Sequence, residues 1–263
     1  MLFILGLFSV ISSLNLADSL YSSDNFYDAA TEYERYLYNF PDDINSDYVQ
    51  FRLGLAFLKS NEYSKAETTL RKIISASNQY SPKAQLVLIE HFIQNQRYAM
   101  ARIETQDLLF FSKDSTIRQK SNQILGGIEL VEGNLNQAAN QFSLAGDLRL
   151  VKEVKIIKHL PRKNPLIAML FSSLVPGSGE IYCGHYLTGI AAFLINAATL
   201  TAFIYSINKK NYLDATLVFS IFFSRFYLGS RQNAYDFANE YNEKLYQKRI
   251  KLINQRYNLL PNP

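Results

Sequence analysis

Four alanines, Ala29, Ala66, Ala101 and Ala138, recur at intervals of 37, 35 and 37 residues. Three places before each stands a large residue: Phe26, Tyr63, Tyr98 and Leu135. A separation of three puts the pair on one face of a helix. A period of this length marks a helix–turn–helix unit that cannot bury its apolar face alone and stacks on its neighbours. The upstream halves keep the same register, with Leu53-Gly54 and Leu125-Gly126 and a large residue three places on at Phe57 and Phe92. Small residues suit these places because two antiparallel helices approach closely there. The third unit departs at Ile89 and the fourth at Glu129.

Residues from about Leu20 to Gly146, roughly half the chain, therefore resemble tetratricopeptide (TPR) repeats, for which the usual period is 34 residues. A generic helical bundle is the alternative, and both readings are all-α. The first unit would need its opening helix around Leu16 to Leu20 and is read as a truncated cap. In this family the first helix of each repeat lines the inner surface. Carried over, those slots are Tyr48, Phe51, Leu55, Leu58 and Lys59 in the second repeat. In the third they are Lys83, Leu86, Glu90, Ile93 and Gln94, and in the fourth Lys120, Gln123, Gly127, Leu130 and Val131. The family's carboxylate clamp for chaperone tails is missing. What the resemblance implies is an apolar groove rimmed by Lys59, Lys83 and Lys120, suited to an extended or helical peptide. The competing reading is that these side chains pack against the next repeat.

Pro165 to Leu228 is overwhelmingly apolar. The run LIAMLFSSLV is enough for a half-depth or interfacial helix, and Tyr186 to Ile207 has 22 residues without a charge, enough to span a bilayer. Tyr212 to Ser230 is the second candidate span, with Asp214 and Arg225 placed to reach an interface. A buried helical pair in a soluble domain is the alternative. The last segment, 231–263, reads as an amphipathic helix and tail.

Between the apolar runs lies LVPGSGEIYCGHYLTG. It lacks the Gly-Lys-Ser/Thr ending of a phosphate loop, and Tyr182 stands where a dinucleotide fingerprint needs glycine. Ser178 is flanked directly by Gly177 and Gly179, which is not a nucleophile elbow. Cys183 and His185 alone make no zinc site. The loop resembles the Pro-Gly-x-Gly-Gln-x-Tyr-x-Gly-x-x-x-x-Gly pattern of a small bacterial membrane-hairpin module through Pro176, Gly177, Gly179, Tyr182, Gly184 and Gly189. Glu180 takes the usual glutamine place. The resemblance brings no established activity, and no catalytic residue, cofactor or metal is inferred.

The formal net charge of +4 is too mild for a dedicated nucleic-acid binder, and basic residues gather instead at Lys152–Lys163 and Lys244–Arg256, flanking the apolar region. The start, MLFILGLFSVISSLNLADS, reads as a signal peptide without a basic n-region, or else as an N-terminal apolar helix. The organisation expected is a signal peptide at 1–19, TPR-like repeats at 20–150, a basic linker at 151–164, a membrane hairpin at 165–230 and a C-terminal helix and tail at 231–263. The expectation is a non-enzymatic scaffold of a bacterial inner membrane, with the repeats periplasmic. Its partners would be a protein or peptide and membrane lipid, with no nucleic acid and no small-molecule substrate. Two other readings stay open: a biogenesis or transport component worked by the hairpin, and a membrane-embedded hydrolase using Ser178 and His185.

Overall fold

The computed structural model describes residues 13–260. The described elements are all helical: α1 (13–22), α2 (Phe26–Asn39), α3 (Ser46–Lys59), α4 (Tyr63–Ala76), α5 (Ser81–Gln94), α6 (Tyr98–Phe111), α7 (Ser115–Val131), α8 (Leu135–Leu144) and α9 (Leu148–Lys158). They continue as α10 (Pro165–Leu174), α11 (Ser178–Tyr182), α12 (Tyr186–Asn208), α13 (Tyr212–Leu217), a π-helical turn (Val218–Phe223) and α14 (Ser224–Tyr257). The described residues divide into two compact units, one of residues 13–154 with 257–260 and one of 155–256.

In the first unit, α2 to α8 pack each against its chain neighbours, as successive helical hairpins do. The alanine period is where they meet: Ala29, Ala66, Ala101 and Ala138 are all fully buried. The same period reappears in the backbone. Asp24, Asn61, Gln96 and Gly133 take left-handed φ angles of 60°, 64°, 56° and 84°, at spacings of 37, 35 and 37 residues. In each turn the next N–H donates to the carbonyl five residues before it: Asn25 to Leu20, Glu62 to Phe57, Arg97 to Phe92 and Asn134 to Glu129, at 2.8–3.0 Å. This satisfies a carbonyl that the helix end would leave bare. One turn geometry therefore closes four hairpins.

The small residues do what close packing requires. A Cβ on Gly54 would lie 2.8 Å from Leu70 Cδ2, and one on Gly126 would lie 2.5 Å from Phe142 Cε1. Glu129, the odd member of its series, is buried but accepts from Asn134 Nδ2 at 2.8 Å and pairs with Arg102 at 3.1 Å.

Three expectations need correction. The opening helix of the first repeat is not truncated: α1 is helical through residue 22, with Ala17 in the core beside Tyr33 and Tyr36. Of the segment read as a signal peptide, residues 1–12 lie outside the described residues, whereas 13–19 belong to this packed helix. The basic stretch 151–164 is also not all linker. Up to Lys158 it is α9, whose Leu150, Val154 and Ile157 are buried at helical spacing while the lysines stay outside. The final helix ends at Tyr257, leaving residues 258–260 outside any helix.

In the second unit, Asn164 caps α10 by accepting from the N–H groups of Leu166 and Ile167, with Pro165 in the first turn. Of the described helices, α12 is the one long and apolar enough to cross a membrane. Most of its surface is uncovered, and Gly189 and Asn196 are its buried residues. The second expected span is not one regular helix. Tyr212–Ser230 is divided among α13, the π-helical turn and the start of α14.

Candidate functional site

A depression of about 590 Å³ opens between α3 and α5. Leu55, Leu58 and Lys59 form one wall; Val87, Glu90, His91 and Gln94 form the other, and Asn61, Tyr63 and Asn95 close one end. Helical spacing puts Leu55, Leu58 and Lys59 on one strip of α3, and Val87, Glu90, His91 and Gln94 on one strip of α5. Leu55, Leu58 and Val87 are its apolar lining, and the other lining side chains are polar or carry a polar tip. Lys59 is exposed at the edge, and Glu90 is met by Lys120 at 3.6 Å across two half-exposed side chains.

His91 sits at the base of this depression with its ring 5.0 Å from that of Tyr63. Its Nε2 is 3.6 Å from Glu67 Oε1, which also takes Arg97 at 2.5 Å. Burial holds the imidazole below its ordinary pKa, against the opposing pull of Glu67. The lowered pKa favours the neutral imidazole beside the Glu67–Arg97 ion pair.

The other expected groove residues divide by what they touch. Tyr48 donates to both carboxylate oxygens of Asp18 at 3.3 Å, and its ring lies 6.3 Å from that of Tyr80. Phe51 stacks on Tyr80 with centroids 5.6 Å apart and packs on the core, as does Leu86. Lys83 lies over the Tyr80 ring at 5.7 Å, and Gln123 donates to Asp147 at 3.4 Å. For Tyr48, Phe51 and Leu86, packing within the unit is what the structure shows. Leu55, Lys59 and Glu90 instead share an open surface, and Leu58 both lines it and packs on the core.

Residues 48–76 match the family model of the tetratricopeptide repeat. The match covers most of α3 and all of α4, so the wall bearing Leu55, Leu58 and Lys59 belongs to the matched repeat. No curated protein and no solved structure matches the chain. Tetratricopeptide repeats generally bind protein partners and are typically non-catalytic.

The glycine-rich loop is a close crossing of backbones. Gly177 has φ of 93°, and a Cβ there would lie 2.0 Å from the carbonyl oxygen of Gly189, a clash no side-chain movement relieves. A Cβ on Gly179 would lie 2.0 Å from the carbonyl oxygen of Ala168. Glu180 is fully buried beneath this crossing. Ser172 donates to its Oε2 at 2.6 Å and Ser230 to its Oε1 at 2.8 Å. Those same serine oxygens accept from the N–H groups of Gly179 and Gly177, each at 3.0 Å. One carboxyl group thus ties α10, α11 and α14 together. Tyr182 stacks edge-on against Phe171 at 5.4 Å, and its carbonyl accepts from Lys163 Nζ. Gly184 ends α11 with φ of 93°, and Pro176 is half-buried at the turn.

The two serines were not singled out in the sequence, because hydroxyls in apolar helices carry no distinctive pattern. The hydrolase reading finds no support here. No hydrogen bond joins Ser178 to His185, whose ring is stacked on Phe237 at 3.8 Å. Among the described residues no group of three or more His, Cys, Asp or Glu side chains could hold a metal.

Proposed function

We propose that this chain is a non-catalytic scaffold that holds a protein segment on the inner face of its repeats while its apolar hairpin anchors it in a bacterial inner membrane, the repeats facing the periplasm. The observation that carries the reading is the depression between α3 and α5. Its Leu55, Leu58 and Lys59 lie on the repeat that matches a protein-binding family, and Glu90 faces them from the next helical hairpin. Leucines set beside polar and charged side chains suit the amphipathic face of a helix or an extended segment with alternate apolar residues. The uncovered apolar surface of α12 supports the anchor, since contiguous exposed apolar surface has few uses in water.

The test is cross-linking in living cells followed by purification of the chain from carbonate-washed membranes. Wild type should stay with the membranes and bring one discrete protein, and Leu55→Asp should stay but bring none. Release of the wild-type chain by carbonate would contradict the anchor.

Buried Glu180 favours a second reading, in which the hairpin itself works in biogenesis or transport, because ionisable groups in apolar modules are often mechanistic. On the scaffold reading its role is structural, and Glu180→Gln, the residue usual in this loop pattern, should keep full function.

A further inference from the structure

The irregular stretch that enters α10 holds two cations at the rim of a depression of about 490 Å³. Arg162, Lys163 and Leu166 line it from this stretch and the first turn of α10, and Tyr235 and Asn242 line it from α14. None of the lining side chains is acidic. Asn242 fixes the stretch from 79 residues away: its Oδ1 accepts from the Lys163 N–H and its Nδ2 donates to the Lys163 carbonyl, both at 2.8 Å. The Lys163 ammonium lies 4.4 Å from the Tyr241 ring centroid and 5.1 Å from that of Tyr182. Such contacts hold a cation in place and leave its charge intact.

Arg162 is exposed, and among the described residues no hydrogen bond or ion pair engages its guanidinium. The acids nearby on α14 are engaged within that helix: Asp236 by Gln232, Glu240 by Lys244 and Glu243 by Gln247. The depression therefore carries positive charge without a matching anion. Leu166, at its edge, begins an apolar strip. Leu170 and Leu174 follow at intervals of four on the same face of α10, and the three are 57 %, 56 % and 81 % exposed. Ala168 and Ser172, turned away from this strip, are fully buried.

We propose that this depression binds the phosphate of an anionic phospholipid, with an acyl chain laid along Leu166, Leu170 and Leu174. Cations at one end of an uncovered leucine strip match a charged headgroup joined to a hydrocarbon chain. Arginine suits the ligand because its planar fork meets two phosphate oxygens at once. A zwitterionic headgroup would bring its own cation to a site already positive, so the anionic lipid is preferred. The inference rests on the reading above that the apolar hairpin lies in a membrane, and it gives that anchor a chemical preference.

The test uses the full chain reconstituted into vesicles of equal parts phosphatidylethanolamine and phosphatidylglycerol. A photo-reactive residue in place of Leu170 samples the strip, and one in place of Ile204, exposed on α12, samples bulk lipid. Mass spectrometry of the adducts should show phosphatidylglycerol in about fivefold excess at position 170, the factor that one uncommitted cation near a headgroup supplies. No excess is expected at position 204. Arg162→Gln, which removes no hydrogen bond or ion pair among the described residues, should bring position 170 to the ratio at 204. Equal ratios at the two positions of the wild-type chain, or an excess that survives Arg162→Gln, would overturn the proposal and leave the anchor standing. Inorganic phosphate added at matched ionic strength should leave the excess unchanged, and its loss would assign the depression to a free anion instead. Absence of lipid adducts at both positions would refute the anchor, and this proposal with it.

Discussion

Replacing Asp18 should unfasten α1 from the repeats, and the structure allows the cost to be estimated. Asp18 accepts from the hydroxyls of Tyr33 and Tyr48, and Arg52 Nε lies 3.4 Å from its Oδ1. Arg52 in turn donates to the Tyr33 hydroxyl at 3.1 Å and lies 3.8 Å over the Tyr21 ring. Burial, reinforced by the bond to Asp18, raises the Tyr33 phenol well above its ordinary pKa. Hydrogen bonds to a charged group contribute ~1.5–3 kcal/mol each, and a buried donor left bare costs about 1–3 kcal/mol. The Asp18 side chain is one-third exposed, which screens the Arg52 term. Asp18→Ala should therefore destabilise the first unit by about 2–4 kcal/mol. Asp18→Asn keeps an acceptor for Tyr33 and should cost roughly half as much. The assay is pulse proteolysis of the detergent-solubilised chain across a urea series, with hydrogen exchange in α1–α3 as a local readout. A loss below about 0.5 kcal/mol for Asp18→Ala, the range of ordinary surface substitutions, would refute the assignment of α1 to the repeat fold.

The remaining predictions concern the depression and the loop. The folded-state pKa of His91 lies below its unfolded value, so the unfolded chain binds more protons and stability falls as pH drops below about 6.5. His91→Gln should flatten that part of the profile in urea melts at stepped pH, and an unchanged slope would count against a buried neutral imidazole. Gly177→Val meets both a left-handed φ and a carbonyl 2.0 Å away, and should cost more than ~4 kcal/mol, read as loss of the protease-resistant chain in pulse proteolysis. Ser178→Ala and His185→Ala should leave abundance and partner binding unchanged, whereas loss of function at normal abundance would revive the hydrolase reading.

The parts of this fold that were legible in the sequence are those fixed by local contact. An alanine at the crossing of two helices cannot grow without separating them, so four fully buried alanines kept one spacing. The turns repeated in step but hid it, because Asp, Asn, Gln and Gly each take the left-handed place. The stripe of Leu150, Val154 and Ile157 was present too, masked by the lysines around it. Contacts over long sequence separations left no periodic trace. Tyr48 meets Asp18 from thirty residues away, and Ser230 meets Glu180 from fifty. Tyr257 reaches Glu153 across 104 residues, and the leucines beyond it cover Gly127, which the sequence offered only as an empty groove slot. In the candidate site the same division holds: the strip of Leu55, Leu58 and Lys59 follows from helical spacing, whereas the withdrawal of Tyr48 and Phe51 depends on Asp18 and Tyr80, which no spacing singled out.

The most direct test of the central claim places a photo-reactive amino acid at Leu55 in living cells and identifies the adducts by mass spectrometry. Leu55 is the half-buried leucine on the wall of the depression, near enough to an occupant to capture it. The scaffold account predicts one discrete protein adduct, lost when Leu58→Asp is added. A membrane-embedded, folded chain that gives no adduct, or reacts only with its own helices, would contradict it and make this surface an internal packing face.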